Sequence, residues 1–226
     1  MSREVLCHPE VVVRRHCKKD ADSYKHQSRR SMSPTLLSFL RGDGPNGAGS
    51  TFSEVLERDD DWWEAKHDFV QWLFPNSLPS RANPRAPLLT EEAIEEIQSD
   101  SCIQANVDRA LLRFTQFLGF ELAPDSGYVL LESWPIAKKR WFSRDTHNGL
   151  RITRVLKFLV CIGREEQADR LLRVLLQMCR AEAGCGVTPV ARSYWRASLD
   201  GVPGIEPLPR PVSQTASPLL PNMNEA

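Results

Sequence analysis

The 226-residue sequence lacks any segment that could cross a membrane or direct secretion. Its longest apolar runs, such as residues 11–13 and 171–176, are cut by arginine within a few positions. They fall far short of the roughly 20 apolar residues that span a bilayer. The first residues include Arg3 and Glu4 but no apolar stretch followed by a small-residue cleavage site. We therefore expect a soluble, intracellular protein with no transmembrane segment.

Paired cysteines and an excess of charge are also missing. The six cysteines contain no CxxC pair, which is typical of a reducing compartment and argues against a disulfide scaffold. Cys7-His8 and His16-Cys17 offer nitrogen and sulfur ligands, but neither pair has zinc-finger spacing, and we predict no metal site. Lys and Arg together number 29, as do Asp and Glu, so the whole chain has no field that would attract nucleic acid or an anionic membrane.

The common signatures of catalysis and cofactor binding do not occur. The sequence has no GxGxxG, P-loop, HExxH, GxSxG or EF-hand pattern. The glycine-rich residues 42–49 lack the preceding strand and the Lys-Ser/Thr pair of a phosphate-binding loop, so they predict a turn. We therefore predict that the protein is not an enzyme, with no catalytic residues and no cofactor. An undescribed enzyme that uses His67 as its base is the least favoured alternative.

Apolar residues recur at helical spacing through most of the chain, and turn residues separate the segments. This pattern predicts an all-α fold class, with a single compact multi-helix domain over residues 33–201. Residues 1–32 form a polar basic arm, and residues 202–226 form a proline-rich tail with too few apolar side chains for a core. We predict that both arms are disordered.

Capping residues mark the predicted helix starts. Ser33 and Thr188 each precede a proline, and Thr51 with Glu54 has the pattern of a capping box. Thr90 and the segment from Ser99 to Ser101 offer two further N-caps.

Periodicity predicts how some of these helices are arranged. The apolar stripes of residues 152–159 and 168–179 are joined by a short turn and predict an antiparallel helical hairpin. Residues 120–137 show no clear period. Tyr128 and the residues after it are short enough for a strand, but periodicity does not decide this, and we leave the segment irregular.

The most apolar segment, residues 62–74, is predicted to be a central helix. Apolar side chains cover most of its circumference and leave a solvated stripe of Glu64, Asp68 and Gln71. We expect this helix to have neighbours on two or more sides. His67 lies on it and should be at least partly buried, which favours a structural histidine over a ligand-binding or catalytic one.

The strongest local charge is a basic segment over residues 138–154. Arg151 and Arg154 are three residues apart on the polar side of a helix, and Asn148 lies at its start, where exposed amides favour anions. Two interpretations stay open. The segment binds an anion or nucleic acid, or it is a solvated face that also pairs with the acidic residues 59–61. Its basic members are Lys138, Lys139, Arg140, Arg144, His147, Arg151 and Arg154.

Three sequence blocks have a distinctive order and spacing. They are HDFVQWLFP at residues 67–75, APLLT at residues 86–90 and HNGLRITRVL at residues 147–156. Together they resemble the conserved region of the opioid growth factor receptor family. The resemblance extends over about residues 34–199 through Phe39-Leu40, the Gly-Pro-Asn-Gly turn, Trp141, Gly163 and Ser-Tyr-Trp at residues 193–195. It implies an all-helical domain, in agreement with the caps and apolar stripes.

The resemblance also implies a function. Animal members of the family are described as receptors for the opioid peptide Met-enkephalin that restrain cell proliferation and are associated with the nucleus and its periphery. This implies a receptor-like binding protein with a peptide or protein partner, an opioid peptide among the candidates, and a nuclear or perinuclear location. Nucleic acid is the alternative partner. Most residues of the shared blocks are core or crossover residues, and the polar exceptions are our candidate ligand-binding residues: His67, Gln71, Asn148, Arg151 and Arg154.

Overall fold

The computed structural model describes residues 34–202, except residues 81, 82, 126 and 145. The predicted basic arm, the Ser33 cap and residues 203–226 of the predicted tail lie outside the described residues. No helix in the described ranges is both long and apolar enough to cross a membrane.

The predicted all-α fold class is confirmed, because helices make up almost all of the regular structure in the described residues and the one sheet there has only two short strands. The elements are α1 (Pro34–Arg41), α2 (Phe52–Glu57), α3 (Asp60–Ala65), α4 (Phe69–Leu73), α5 (Glu91–Ser99), α6 (Ser101–Phe117), β1 (Phe120–Leu122), β2 (Tyr128–Leu130), α7 (Trp134–Trp141), α8 (His147–Cys161), α9 (Glu165–Ala181) and α10 (Pro189–Ala197).

The helices begin where their caps predict. At α2, the Thr51 hydroxyl accepts a hydrogen bond from the Glu54 amide at 3.3 Å, and the Glu54 carboxylate accepts one from the Thr51 amide at 2.7 Å. Thr90 and Thr188 cap α5 and α10 through their hydroxyl oxygens. The Asp100 carboxylate accepts hydrogen bonds from two amides in the first turn of α6. These contacts satisfy amides that have no partner within the helix, so the predicted starts of α2, α5, α6 and α10 are confirmed.

The core forms where the longer helices pack together. α8 and α9 make the predicted hairpin, and α10 packs against both. Trp195 fixes α10 to α8, because its ring is fully buried and its Nε1 donates to the Gly149 carbonyl at 3.0 Å. α6 packs against α1, α5 and β1. One continuous apolar cluster joins these helices.

Residues 120–137, which we left irregular, contain a β-hairpin and the start of α7. β1 pairs antiparallel with β2, and Phe120 lies opposite Leu130. The buried Phe120 ring lies 6.4 Å from the rings of Tyr128 and Trp141. Strands of three residues are too short to show a period, and packing against α6 and the Trp141 ring of α7 is what buries Phe120.

The predicted continuous helix over residues 62–74 is wrong. α3 ends at Ala65, the backbone is extended at Lys66 with a ψ of 145°, and α4 begins at Phe69. The break brings the rings of Trp63 and Phe69 within 4.7 Å of each other, and both residues are 1% exposed.

The break also changes which residues of this segment are buried. Every residue of α4 is buried, including Gln71, which we expected in solvent. Neighbouring elements enclose α4 on all sides, whereas residues 65–68 at the break are exposed. The predicted central position is therefore confirmed for α4 and not for the whole segment.

We predict that Gly119→Ala is strongly destabilising. Gly119 has a φ of +91°, and a Cβ atom there would lie 2.7 Å from the Cβ atom of Ala137. Backbone strain and overpacking should together lower the free energy of unfolding by about 2–4 kcal/mol, measured by urea denaturation. Gly49→Ala is the matched control, because Gly49 has a φ of +87° with no heavy atom within 4 Å of the added carbon. Its loss should be only about 1 kcal/mol, and equal losses in the two variants would contradict the role of the contact with α7.

Candidate functional site

Arg151 lies at the centre of the polar contacts around the break between α3 and α4. Its side chain projects from α8, and the residue is 5% exposed. Nη1 donates to the Trp63 carbonyl at 2.8 Å, and Nη2 donates to the Lys66 carbonyl. The guanidinium lies over the Phe69 ring, with 5.6 Å between Cζ and the ring centroid. Arg151 therefore satisfies carbonyls that would have accepted hydrogen bonds from amides in an unbroken helix.

Asn148 connects Arg151 to a carboxylate. Its side chain is fully buried, and its Oδ1 accepts a hydrogen bond from Arg151 at 3.0 Å. Its Nδ2 donates to the Glu64 carboxylate at 2.9 Å and to the Arg140 carbonyl at 3.1 Å. Burial lowers the pKa of Arg151 to about 10, and the charge of Glu64 opposes this shift. The guanidinium therefore stays charged at neutral pH, with Glu64 as its compensating charge.

His67 and His147 lie at the edge of this cluster. Their ring centroids are 4.8 Å apart, and His147 Nε2 is 3.3 Å from a Glu64 oxygen without the alignment of a hydrogen bond. His67 is exposed, so the expectation of partial burial is wrong, because the residue follows the break and no longer lies on a helix. Burial and then the Arg151 charge lower the pKa of His147, Glu64 opposes them, and His67 adds a smaller lowering.

The two remaining candidate residues have separate contacts. Arg154, one turn further along α8, donates from Nη1 to the Phe74 carbonyl at 3.3 Å, and burial lowers its pKa. Gln71 binds the crossover between α4 and α5, where it donates to Ser80 at 3.1 Å and accepts from Asn83 at 2.6 Å. The structure therefore brings together His67, Asn148 and Arg151, places Arg154 beside them on the same helix, and gives Gln71 a different set of partners.

Carboxylates pair with two cations of the predicted basic segment, Lys138 and Arg140. Arg140 donates to the Asp60 carboxylate at 2.9 Å, and Arg113 binds the same carboxylate at 2.8 Å. Lys138 pairs with Glu182. The predicted pairing of the basic segment with the acidic residues 59–61 is confirmed for Asp60. Among the described residues, no group of three or more potential metal ligands occurs, and the cysteines and histidines of the basic arm lie outside them.

A groove of about 950 Å³, open to solvent, lies between the first turns of α8 and α10. We call it the α8–α10 groove. Leu150 on α8 and Val190 on α10 line it and are 73% and 63% exposed. Its other walls include Arg144, His147, Cys185, Val187 and Arg192. Exposed apolar side chains on a concave surface are typical of interaction sites.

Reasoning from sequence missed this groove. Leu150 is out of phase with Ile152 and the other core residues of α8, and that apolar side chain outside the stripe was the available signal. Val190 gave no signal of its own. Its approach to Leu150 depends on the packing of α10 on α8 through Trp195, which no local pattern reveals. His147 is the one residue of the basic segment that the structure places in both the polar cluster and the groove.

The fold and the site together define a class of protein, an all-helical domain with an open, largely apolar groove beside a buried polar cluster. Residues 44–194 match the opioid growth factor receptor (OGFr) conserved region. This match covers more than half of the chain, and the chain belongs to that family. The resemblance predicted from the three sequence blocks is therefore confirmed.

Several curated proteins are similar to this chain. The opioid growth factor receptor of Homo sapiens is 33% identical over 149 residues, which are 62% of this chain and 21% of that protein. The opioid growth factor receptor of Rattus norvegicus is 32% identical over 148 residues, 62% of this chain and 25% of that protein. Opioid growth factor receptor-like protein 1 of Xenopus tropicalis is 30% identical over 177 residues, 70% of this chain and 33% of that protein. The chain thus spans about a third or less of the length of these relatives. No solved structure matches it.

We predict that Arg151→Met lowers the free energy of unfolding by about 2–4 kcal/mol, because the Trp63 and Lys66 carbonyls and the Glu64 charge lose their partner inside the fold. Arg173→Met is the matched control, since Arg173 is 49% exposed in its side chain and pairs with Asp169 on the surface of α9. That change should cost less than about 1 kcal/mol. Urea denaturation measures both losses. A small loss for Arg151→Met would show that the break is held by other contacts.

We also predict that stability falls as the pH drops below about 6.5. The pKa of His147 in the folded protein is lower than the ordinary histidine pKa of about 6.5, so the unfolded chain binds the proton first. This stabilising contribution is complete above the unfolded pKa and is lost as the pH falls toward the folded pKa. The melting temperature between pH about 7.5 and 5.5 measures it. His147→Gln should flatten this dependence, and His67→Gln should flatten it less. An unchanged pH dependence in His147→Gln would rule the effect out.

Proposed function

We propose that this protein is a non-enzymatic, receptor-like binding protein that holds a peptide segment of a partner in the α8–α10 groove. The observation that carries the proposal is the exposure of Leu150 and Val190 on the two helices that border this groove. Covering apolar surface is favourable by roughly 25 cal/mol per Å². A groove between helices with apolar side chains on both walls suits an extended or helical peptide.

The names of the relatives support the kind of ligand. They are called opioid growth factor receptors, which favours a receptor-like protein over an enzyme. We extend this to the present chain as a proposal and take Met-enkephalin, the opioid peptide implied by the family, as the first ligand to test. A nuclear or perinuclear location of the protein is part of the same proposal.

The candidate residues predicted from sequence receive different roles in this proposal. Asn148, Arg151, Arg154 and Gln71 are hydrogen-bonded within the fold, and we propose that Asn148 and Arg151 hold the first turns of α8, which form one wall of the groove. His67 is exposed next to His147 and retains access to a ligand. Direct contact with a peptide then falls mainly to the groove side chains.

The alternative of an anion or nucleic-acid binder based on the basic segment has less support. Arg140, Arg151 and Arg154 would have to bind phosphate groups, but each already donates to a carboxylate or to backbone carbonyls. A nucleic-acid site needs several such cations free at the surface.

Fluorescence anisotropy with labelled Met-enkephalin tests the proposal, with a scrambled peptide as the ligand control. Leu150→Asp and Val190→Asp should each raise the Kd about tenfold or more, because a carboxylate replaces a buried apolar contact. Ile136→Asp is the matched control, since Ile136 is 66% exposed on α7 and does not line the groove. It should bind as the unmodified protein does.

Two results would contradict this proposal. Equal, non-saturating signals from Met-enkephalin and the scrambled peptide would remove opioid binding. Saturable binding that Leu150→Asp, Val190→Asp and Ile136→Asp leave equally unchanged would place the peptide outside the groove.

A further inference from the structure

Three arginines gather where α9 ends and along α10. Arg192 and Arg196 are four residues apart on α10, a spacing that places their side chains on one face of the helix. Arg180 lies in the last turn of α9, which packs against α10. Burial lowers the pKa of Arg196, and the charges of Arg180 and Arg192 lower it further, so the three cations are near enough to repel one another. We call these three residues the arginine cluster.

The fold does not neutralise this cluster. None of the carboxylates in the described ranges forms an ion pair with Arg180, Arg192 or Arg196. The nearby Cys179 thiol has a pKa raised above its ordinary value by burial, so it stays neutral at neutral pH. Like charges four residues apart destabilise a helix. The positive charges of the cluster therefore repel one another, and no carboxylate in the described part of the protein compensates for this repulsion.

The cluster also contains donors without acceptors. The Nε atoms of Arg192 and Arg196 are shielded from solvent and have no hydrogen-bond partner. Buried donors are nearly always satisfied in folded proteins, so these two N–H groups are available to an acceptor. Arg192 is held in place because its Nη2 donates to the Val187 carbonyl at 2.9 Å, and its side chain forms part of the groove wall.

We infer that the arginine cluster is an anion-binding subsite, next to the α8–α10 groove, for a carboxylate or phosphate group. Guanidinium groups bind both anions through paired, charge-assisted hydrogen bonds. Because Arg192 also lines the groove, the ligand class is a peptide whose anionic group lies beside apolar side chains that contact Leu150 and Val190. The peptide part of this inference rests on the function proposed above, whereas the anion part rests on the cluster alone.

The anion part is tested with inorganic phosphate and the whole chain, at an ionic strength kept constant with sodium chloride. NMR of ¹⁵N-labelled protein follows the arginine Nε–H signals. We expect saturable shifts at Arg192 and Arg196, and a phosphate affinity that falls about tenfold in Arg192→Gln and in Arg196→Gln. Arg173→Gln, on the exposed side of α9, should leave the affinity unchanged. Shifts that do not saturate, or an unchanged affinity in Arg196→Gln, would overturn the subsite. A titration with acetate then shows whether carboxylate or phosphate is preferred.

The melting temperature without phosphate separates a binding role from a structural one. If the cluster is an anion site, Arg196→Gln relieves the repulsion between its cations. Without phosphate, this variant should then melt at the same temperature as the unmodified protein or at a higher one. Phosphate should then stabilise the unmodified protein more than this variant. A lower melting temperature of Arg196→Gln without phosphate would show that the arginine stabilises the fold and would overturn the inference.

The peptide part is tested by comparing Met-enkephalin that has a free carboxyl terminus with its carboxyl-terminal amide. We expect the amide to bind about tenfold more weakly to the unmodified protein, and no difference between the two forms in Arg192→Gln. Equal affinities in the unmodified protein would overturn the link between cluster and peptide. If neither form binds while phosphate still saturates the cluster, opioid-peptide binding in the proposed function fails and the anion subsite stands.

Discussion

One buried charge, the guanidinium of Arg151, organises the polar contacts at the break between α3 and α4. A buried cation is costly unless hydrogen-bond acceptors and an opposite charge surround it. The carbonyls of Trp63 and Lys66 are the acceptors, and Glu64 supplies the charge through Asn148. These carbonyls are available only because the helix is broken. The break and the buried arginine therefore stabilise each other, since each satisfies polar groups that the other leaves without partners.

Arg151 belongs to the sequence block at residues 147–156, and the Trp63 and Lys66 carbonyls that it binds lie just before the block at residues 67–75. Its guanidinium contacts that block through the ring of Phe69. Arg154 extends the contact by binding the carbonyl of Phe74, just beyond α4. Arg151 and Arg154 thus satisfy backbone carbonyls at the break and just beyond α4. These hydrogen bonds hold both guanidinium groups against the fold.

Sequence reasoning succeeded where the deciding contacts are local. The caps at Thr51, Thr90 and Thr188 each bind an amide three residues further along, so their residue types reveal them. The break after Ala65 depends on an arginine 88 residues from its carbonyl partner, and no local pattern reports it. The same distinction between local and long-range contacts separates the polar cluster from the groove. Residue type within the shared blocks singled out Asn148 and Arg151 of the polar cluster, but the groove exists only because tertiary packing brings α10 against α8.

The first turns of α8 connect the polar cluster to the groove. Asn148 and Arg151 point into the fold, while Leu150 between them points into solvent and His147 contributes to both regions. The Gly149 carbonyl in the same turn accepts the hydrogen bond from Trp195 that positions α10, the opposite wall of the groove. A substitution that removes the hydrogen bonds of this turn is therefore expected to shift both α8 and α10, the two walls of the groove, even if the altered side chain does not contact a ligand. Weaker binding by a variant of Arg151 or Asn148 thus indicates ligand contact only if the variant keeps the stability of the unmodified protein.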